Sequence, residues 1–159
     1  MLENEVTLKP IEITNEAIAA LNKKYKSLSA TQRIKELYND FDVNDVMLTS
    51  SFAATSAFFL KLFSEANQQQ KVFFIDTGYH FEDTLVYKKE LEERYGLNVV
   101  SISALKEEHA FTTQDETWNK NPDFCCSINK VKPLDIIKKE FKVWASGLME
   151  WQSDHRSTL

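Results

Sequence analysis

Glycine is scarce in this sequence, three residues in 159, so each one marks a place where the backbone needs freedom that other residues lack. Gly96 follows a helix-like run and reads as a helix C′ cap. Gly78 and Gly147 each follow a predicted strand, where a chain turns sharply or lets a ligand approach its backbone. Cysteine is scarcer still, with two adjacent residues, Cys125 and Cys126. That excludes a disulfide framework and fits a reduced, cytoplasmic setting. Positive charge is in deficit: the net charge is -5 and the pI about 5.3. A nucleic-acid polymer is therefore excluded as partner, because phosphate backbones are held by clustered Lys and Arg. A small anion remains possible, since helix N-termini and a few side chains hold one locally. Met1 to Val6 carries neither a basic head nor an apolar run, so no signal peptide is expected. No stretch has the length of a membrane span, and no internal repeat or low-complexity segment is evident.

What is present is the composition of an ordinary soluble globule, 43% hydrophobic and 27% charged. Thr14 caps a predicted helix to about Tyr25. Ser29 with Gln32 forms a capping-box pattern for a second, reaching about Phe41 with Ile34, Leu37 and Tyr38 on one face. Residues 1–44 are read as this helical lead-in, and residues 45–159 as the α/β part of a single domain. Val46–Thr49, Val72–Ile75 and Leu97–Ile102 read as buried strands, separated by helices over about Ala54–Ala66 and Glu82–Tyr95. In the second of these helices Leu85, Leu91 and Tyr95 are the expected core positions. The alternation predicts βαβ units and an open parallel sheet flanked by helices. Residues 103–121 are polar and weakly periodic, a long loop or short helices. Pro122 can open a helix carrying the cysteine pair, Pro133 the next one to about Phe141, and Val143–Ser146 is a fourth strand.

Ligands of such sheets bind beyond the carboxyl ends of the strands. Three segments lie there: Ser50 to Ser56, Asp76 to His80, and Gly147 to Arg156. The serine loop can hold phosphate or sulfate with hydroxyls and backbone N–H groups, or simply cap the following helix. Asp76 can accept from a ribose hydroxyl, orient the loop, or cap the next helix. Arg156 can clamp an oxyanion in bidentate fashion, or stand solvated near the terminus. Adjacent cysteines cannot easily bridge each other, but they can offer two thiolates to one metal centre or serve as small buried hydrophobes.

In order along the chain stand Ser50-Ser51-Phe52, Ile75-Asp76-Thr77-Gly78-Tyr79-His80-Phe81, Cys125-Cys126-Ser127-Ile128-Asn129-Lys130-Val131-Lys132-Pro133-Leu134, and Ser146-Gly147-Leu148 with Gln152 and Arg156. This combination resembles the adenylylsulfate and phosphoadenylylsulfate reductases of sulfate assimilation and cysteine biosynthesis, over about residues 45–159. The resemblance implies an adenine-nucleotide α-hydrolase-like, Rossmann-like fold. Ser50, Ser51, Phe52, Ala53, Asp76, Thr77, Gly78 and Gly147 would cradle the nucleotide, and Gln152 and Arg156 would lie near its phosphosulfate. Cys125 and Cys126 would be two of four ligands to a 4Fe-4S iron–sulfur cluster, with Lys130 linking cluster and substrate electrostatically. The implied reaction is attack by a further cysteine thiolate on the substrate sulfur, releasing the nucleotide, with thioredoxin or glutathione then freeing sulfite. The cysteine-pair branch mostly uses adenylylsulfate.

The chain departs from the family pattern at Ala53, where glycine is usual, at Asn129, where arginine is common, and at Met149-Glu150-Trp151, where two arginines and a glutamate are usual. The second cysteine pair and the nucleophilic cysteine belong to a C-terminal third that the sequence does not contain. The chain is accordingly expected to be the nucleotide-binding portion, without turnover by itself, and self-association or instability is expected from the face that third would cover. Two other readings stand beside this one. An ATP-pyrophosphatase-type enzyme would have Ser-Gly-Gly-x-Asp-Ser where this chain has Phe52-Ala53-Ala54. A non-catalytic nucleotide-binding or assembly protein would bind nucleotide without turnover.

Overall fold

A computed structural model of the chain describes residues 14–148. Helix α1, Asn15–Lys26, starts where Thr14 Oγ1 accepts from the Ala17 N–H at 3.1 Å. Helix α2, Ala30–Asp40, starts at the complete capping box of Ser29 and Gln32. The two are tied by Asp40, which accepts from Lys24 Nζ at 2.7 Å and from the Tyr25 hydroxyl at 2.8 Å.

Four strands follow: β1 Val46–Thr49, β2 Lys71–Ile75, β3 Asn98–Ile102 and β4 Val143–Ser146. They form one sheet in the order β3-β2-β1-β4, and every neighbouring pair is parallel. Parallel neighbours need crossovers. Helix α3, Ser56–Ala66, connects β1 to β2, and α4, Glu82–Tyr95, connects β2 to β3. Side chains alternate along each strand, so Leu48, Val72, Phe74 and Val99 share one face. Against them pack Ile34 of α2, Leu60 and Phe63 of α3 and Leu91 of α4 in a single core. Leu48, Leu60 and Leu91 are fully shielded from solvent, each worth about 1.5–3 kcal/mol of burial. On the opposite face Phe73 is buried edge-on against Phe141, with ring centroids 5.3 Å apart.

The helical lead-in shares this core. The Tyr38 hydroxyl donates to Gln70 Oε1 at 2.8 Å, and buried Gln70 donates in turn to the Val46 and Lys71 carbonyls. Gly96 ends α4 in the left-handed conformation, φ 60°, as its position predicts. Leu85 differs from expectation. It is 43% exposed, because Leu91 and Tyr95 already present the face of α4 that meets the core.

Residues 103–121 contain two helices, α5 Lys106–Gln114 and α6 Thr117–Lys120. The cysteine helix also differs from the reading that breaks it before Pro133. Helix α7, Pro122–Cys126, runs without interruption through a π-helical turn, Ser127–Val131, into α8, Lys132–Ile137. Proline has no N–H to give the residue four before it, and its ring clashes with that residue's carbonyl, a penalty of about 3 kcal/mol in a regular helix. The residue in question is Asn129, inside the π turn, where the Lys132 N–H reaches back five residues to the Ser127 carbonyl. The widened turn admits the proline that a regular α-turn would exclude.

Candidate functional site

Strands β1 to β3 extend the sheet to one side, and β4 returns to the other side of β1. The switch of direction lies between β1 and β4, and the crevice of such sheets opens there, at the carboxyl ends. Ser50 to Thr55 leaves β1, Asp76 to Phe81 leaves β2, and Gly147-Leu148 leaves β4. Three of the segments expected to bind are thus neighbours on one edge of the sheet.

The loop after β1 is held from below. The Ser50 N–H donates to the Phe73 carbonyl at 3.2 Å, and Ser50 Oγ accepts from the Phe52 N–H at 3.1 Å. Phe52 adopts φ 52°, a conformation costing an L-residue about 1–2 kcal/mol. Its ring is 1% exposed and lies edge-on to Phe74 at 5.7 Å, with Lys88 Nζ 5.9 Å from its centroid and 5.4 Å from that of Phe74. Burial of the ring offsets the backbone strain. Phe52 therefore enters the site through its backbone, while Ser51, Ala53 and Ala54 stand exposed above it. Neither serine caps α3. Its N-cap residue, Thr55, makes no side-chain capping bond, so the first N–H groups of α3 have no side-chain acceptor from the cap.

The turn after β2 closes on itself. Asp76 Oδ1 accepts from the Gly78 N–H at 3.0 Å, and Thr77 Oγ1 from the Tyr79 N–H at 3.3 Å. Asp76 thus closes its own turn instead of capping α4, whose N-cap residue is Phe81. His80 Nε2 lies 2.9 Å from the Ile75 carbonyl, to which it donates. Gly78 has φ +74°, and a Cβ built there would come within 2.5 Å of His109 Cε1 and 2.7 Å of Nε2. Glycine is required twice over, by conformation and by the imidazole packed against it. Gly147 is different. A Cβ there would meet Phe59 at an ordinary 3.6 Å, so the chain's own packing leaves it room.

His109 leads from this turn to the cysteine helix. The Thr112 hydroxyl donates to the His109 carbonyl at 2.9 Å, so it must accept from Asn129 Nδ2 at 3.0 Å. That orients the amide: Asn129 Oδ1 faces His109 Nδ1 at 3.0 Å, and Nδ1 carries the proton of that bond. The same Nδ2 reaches the Cys125 carbonyl at 3.1 Å and Cys125 Sγ at 3.5 Å. Tyr79 adds a second tie, its hydroxyl 3.2 Å from Thr112 Oγ1 and 3.0 Å from Thr113 Oγ1, its ring 5.2 Å from that of His109. Asn129 is 2% and Thr112 0% exposed, so nearly every polar atom of the network is satisfied inside the protein.

Cys125 is buried and Cys126 exposed, both as free thiols. A 4Fe-4S cluster takes four thiolates, and this sequence supplies two. No group of three or more His, Cys, Asp or Glu able to hold a metal occurs among the described residues. The pair matches half of a cluster's ligand set and does not hold one by itself. Lys130 is exposed on the π turn, and Lys132 pairs with Glu108. Gln152 and Arg156 lie outside the described residues, as do Met149, Glu150 and Trp151.

His109, Thr112 and Lys88 lie outside the motifs, while Tyr79 and Asn129 stand inside them without being among the residues assigned to the site. One signal was available: Asn129 stands four residues after Cys125, the spacing that brings two helical side chains together.

Comparison with known proteins agrees with the fold. Over 145 residues the chain is 34% identical to the adenosine 5'-phosphosulfate reductase of Mesorhizobium japonicum, covering 89% of this chain and 56% of that one. Over 157 residues it is 29% identical to the adenosine 5'-phosphosulfate reductase of Bacillus cereus, covering 97% of this chain and 61% of that one. The chain therefore spans little more than half the length of these relatives. The crystal structure of phosphoadenylyl-sulfate reductase from Candida auris, a phosphate complex, superposes with a TM-score of 0.69 at 25% identity, covering 87% of this chain and 68% of that one. Residues 45–159 match the phosphoadenosine phosphosulfate reductase domain, and the chain belongs to that family.

Proposed function

We propose that this chain is the nucleotide-binding part of a cytoplasmic enzyme of sulfate assimilation. The enzyme reduces adenylylsulfate or phosphoadenylylsulfate to sulfite, releasing AMP or adenosine 3',5'-bisphosphate. The observation that carries this reading is the convergence of the serine loop, the Asp76–Gly78 turn and the Cys125 helix at one edge of the sheet. The N–H groups at the start of α3 suit an oxyanion, and the phosphate bound by the Candida auris relative is of that class. Phe52 holds Ser51 and Ala53 outward beside it, and Asp76 holds the Thr77–Gly78 backbone in a tight turn. Gln152 and Arg156 take the phosphosulfate end of the substrate.

In the reaction a thiolate from a cysteine outside this sequence attacks the sulfonate sulfur. The sulfur–oxygen bond to the nucleotide phosphate breaks, and the nucleotide leaves with that electron pair. The resulting S-sulfocysteine is cleaved by a thiol of thioredoxin or glutathione, which forms a disulfide with the enzyme cysteine as sulfite departs. Cys125 and Cys126 would supply two of the four thiolates of a cluster, the other two coming from outside this sequence, and such a cluster would supply local electrostatic polarisation. Lys130 places a positive charge on the same turn.

Calorimetric titration with AMP, adenosine 3',5'-bisphosphate and adenylylsulfate tests the proposal, together with a sulfite assay containing reduced thioredoxin. Saturable nucleotide binding without sulfite release by this chain is expected, and the better binder of AMP and its 3'-phosphorylated form identifies the substrate branch. Absence of binding to all three ligands refutes the reading. Magnesium-dependent pyrophosphate release from ATP would put an adenylating enzyme in its place.

A further inference from the structure

The cysteine helix and the nucleotide turn are joined directly through Asn129 and His109, with Tyr79 and Thr112 as a second tie beside them. From Cys125 Sγ the path runs 3.5 Å to Asn129 Nδ2, across that amide, 3.0 Å from Oδ1 to His109 Nδ1, and through the imidazole to Gly78. Asn129 Nδ2 has two hydrogens, one given to Thr112 Oγ1 and the other shared by the Cys125 carbonyl at 3.1 Å and Cys125 Sγ at 3.5 Å. Asn129 is buried with its amide oriented by Thr112, so it has one way to sit. His109 is held at Nδ1 by Asn129 and stacks beside Tyr79, the residue after Gly78. Gly78, at φ +74° with no room for a Cβ, yields to the imidazole only by moving the turn. The π turn contributes as well, because Asn129 sits inside it. Such turns are commonly found at functional sites.

We propose that Asn129 and His109 are positioning residues that couple the Cys125 thiol to the Asp76–His80 turn, so that order at either end is transmitted to the other. An arginine, common at the position of Asn129, has no acceptor oxygen to offer His109 and no short amide to lodge against Cys125, so the coupling belongs to this chain's own residues. Its use in catalysis rests on the reductase reading, whereas the coupling itself does not.

The test works on the chain without ligand, in a Cys126→Ser background so that thiol labelling reports Cys125 alone. Amide hydrogen exchange at residues 77–80 and the rate of Cys125 modification by a maleimide are measured for the parent, Asn129→Ala and His109→Phe. Asn129→Ala does not touch the turn, yet exchange at residues 77–80 should rise about tenfold beyond any rise in β1 and β2, the effect of one lost buried hydrogen bond on a local opening. His109→Phe keeps a ring against Gly78 and does not touch Cys125, yet it should speed Cys125 labelling by about the same factor. Effects confined to each substitution's own neighbours would overturn the coupling. So would a uniform rise in exchange across all strands, the mark of a merely structural role. Should Asn129→Ala fail to fold, His109→Phe, which removes one hydrogen bond, carries the decision. The sulfite and nucleotide assays bear on the reductase reading separately, and their failure would leave the exchange result standing.

Discussion

Gly78→Ala tests the packing at the centre of the site. The methyl group faces two costs. At φ +74° an alanine pays about 1–2 kcal/mol for its left-handed backbone. Its Cβ would also lie 2.5 Å from the His109 ring, which must swing away and release Asn129 Oδ1. Asn129 is 2% exposed, so the freed acceptor has no ready replacement, a further cost of about 1–3 kcal/mol. The sum is about 3 kcal/mol, a large part of the 5–15 kcal/mol that holds an ordinary domain together. Gly96→Ala is the control. It has a similar φ, +60°, but its Cβ would meet only the flexible end of Gln68 at 3.3 Å, so the backbone cost alone is expected. Urea unfolding of both variants, followed by circular dichroism, measures the difference. A double-mutant cycle sharpens it: in a His109→Ala background the clash is gone, and Gly78→Ala should cost about 1–2 kcal/mol less than in the parent. Equal costs for the two glycines, or equal costs for Gly78→Ala in both backgrounds, would refute the reasoning.

Phe52 combines a buried ring with a left-handed backbone, so Phe52→Ala should cost about 3–5 kcal/mol for the cavity, and Phe52→Gly should cost about 1 kcal/mol less by relieving φ 52°. That reverses the usual order of alanine over glycine, and urea midpoints that keep the usual order would contradict it. Tyr38→Phe leaves buried Gln70 Oε1 without its donor, an expected loss of about 1–2 kcal/mol at neutral pH by the same assay. Burial holds the Tyr38 phenol above its ordinary value, so the folded chain keeps a proton that the unfolded chain releases near pH 10. This contribution is complete below pH 10 and is lost as pH rises toward the folded value, by up to about 1.4 kcal/mol per pH unit. Tyr25, raised by its burial and its bond to Asp40, acts in the same direction. Tyr38→Phe should therefore flatten the decline in stability between about pH 10 and 11, and an unchanged slope would show that the phenol titrates normally in the folded state.

Much of the scaffold was legible because its signals are local. Val46–Thr49 and Val143–Ser146 are short apolar runs bounded by turn residues, the capping box of Ser29 and Gln32 needs four residues of context, and Gly96 announces its own conformation. The failures fall where a tertiary contact decides. Leu85 is apolar and correctly spaced for a helix face, but Leu91 and Tyr95 already fill the core there. Pro133 reads as a helix start because a regular turn cannot hold it, and nothing in the residues before it announces the wider turn that can. His109 lies in a weakly periodic segment, and its role exists only because Gly78, distant in sequence, leaves space for a ring. Site motifs mark which segments meet, but the contacts that join them also need His109 and Thr112, which lie outside the motifs.

The serine loop shows how a chain poor in glycine still makes a sharp turn at the carboxyl end of a strand. A glycine at φ > 0 would supply the reversal without strain, at the cost of a freer unfolded chain and a loop anchored by nothing. Here the reversal falls on Phe52, and the strain of φ 52° is offset by a ring driven under the loop onto Phe74, with the Lys88 ammonium over both rings. The loop is thereby tied to β2 and α4, the elements that flank the Asp76–His80 turn. Ala53 can occupy a place where glycine is usual because its neighbour, not itself, adopts the left-handed conformation.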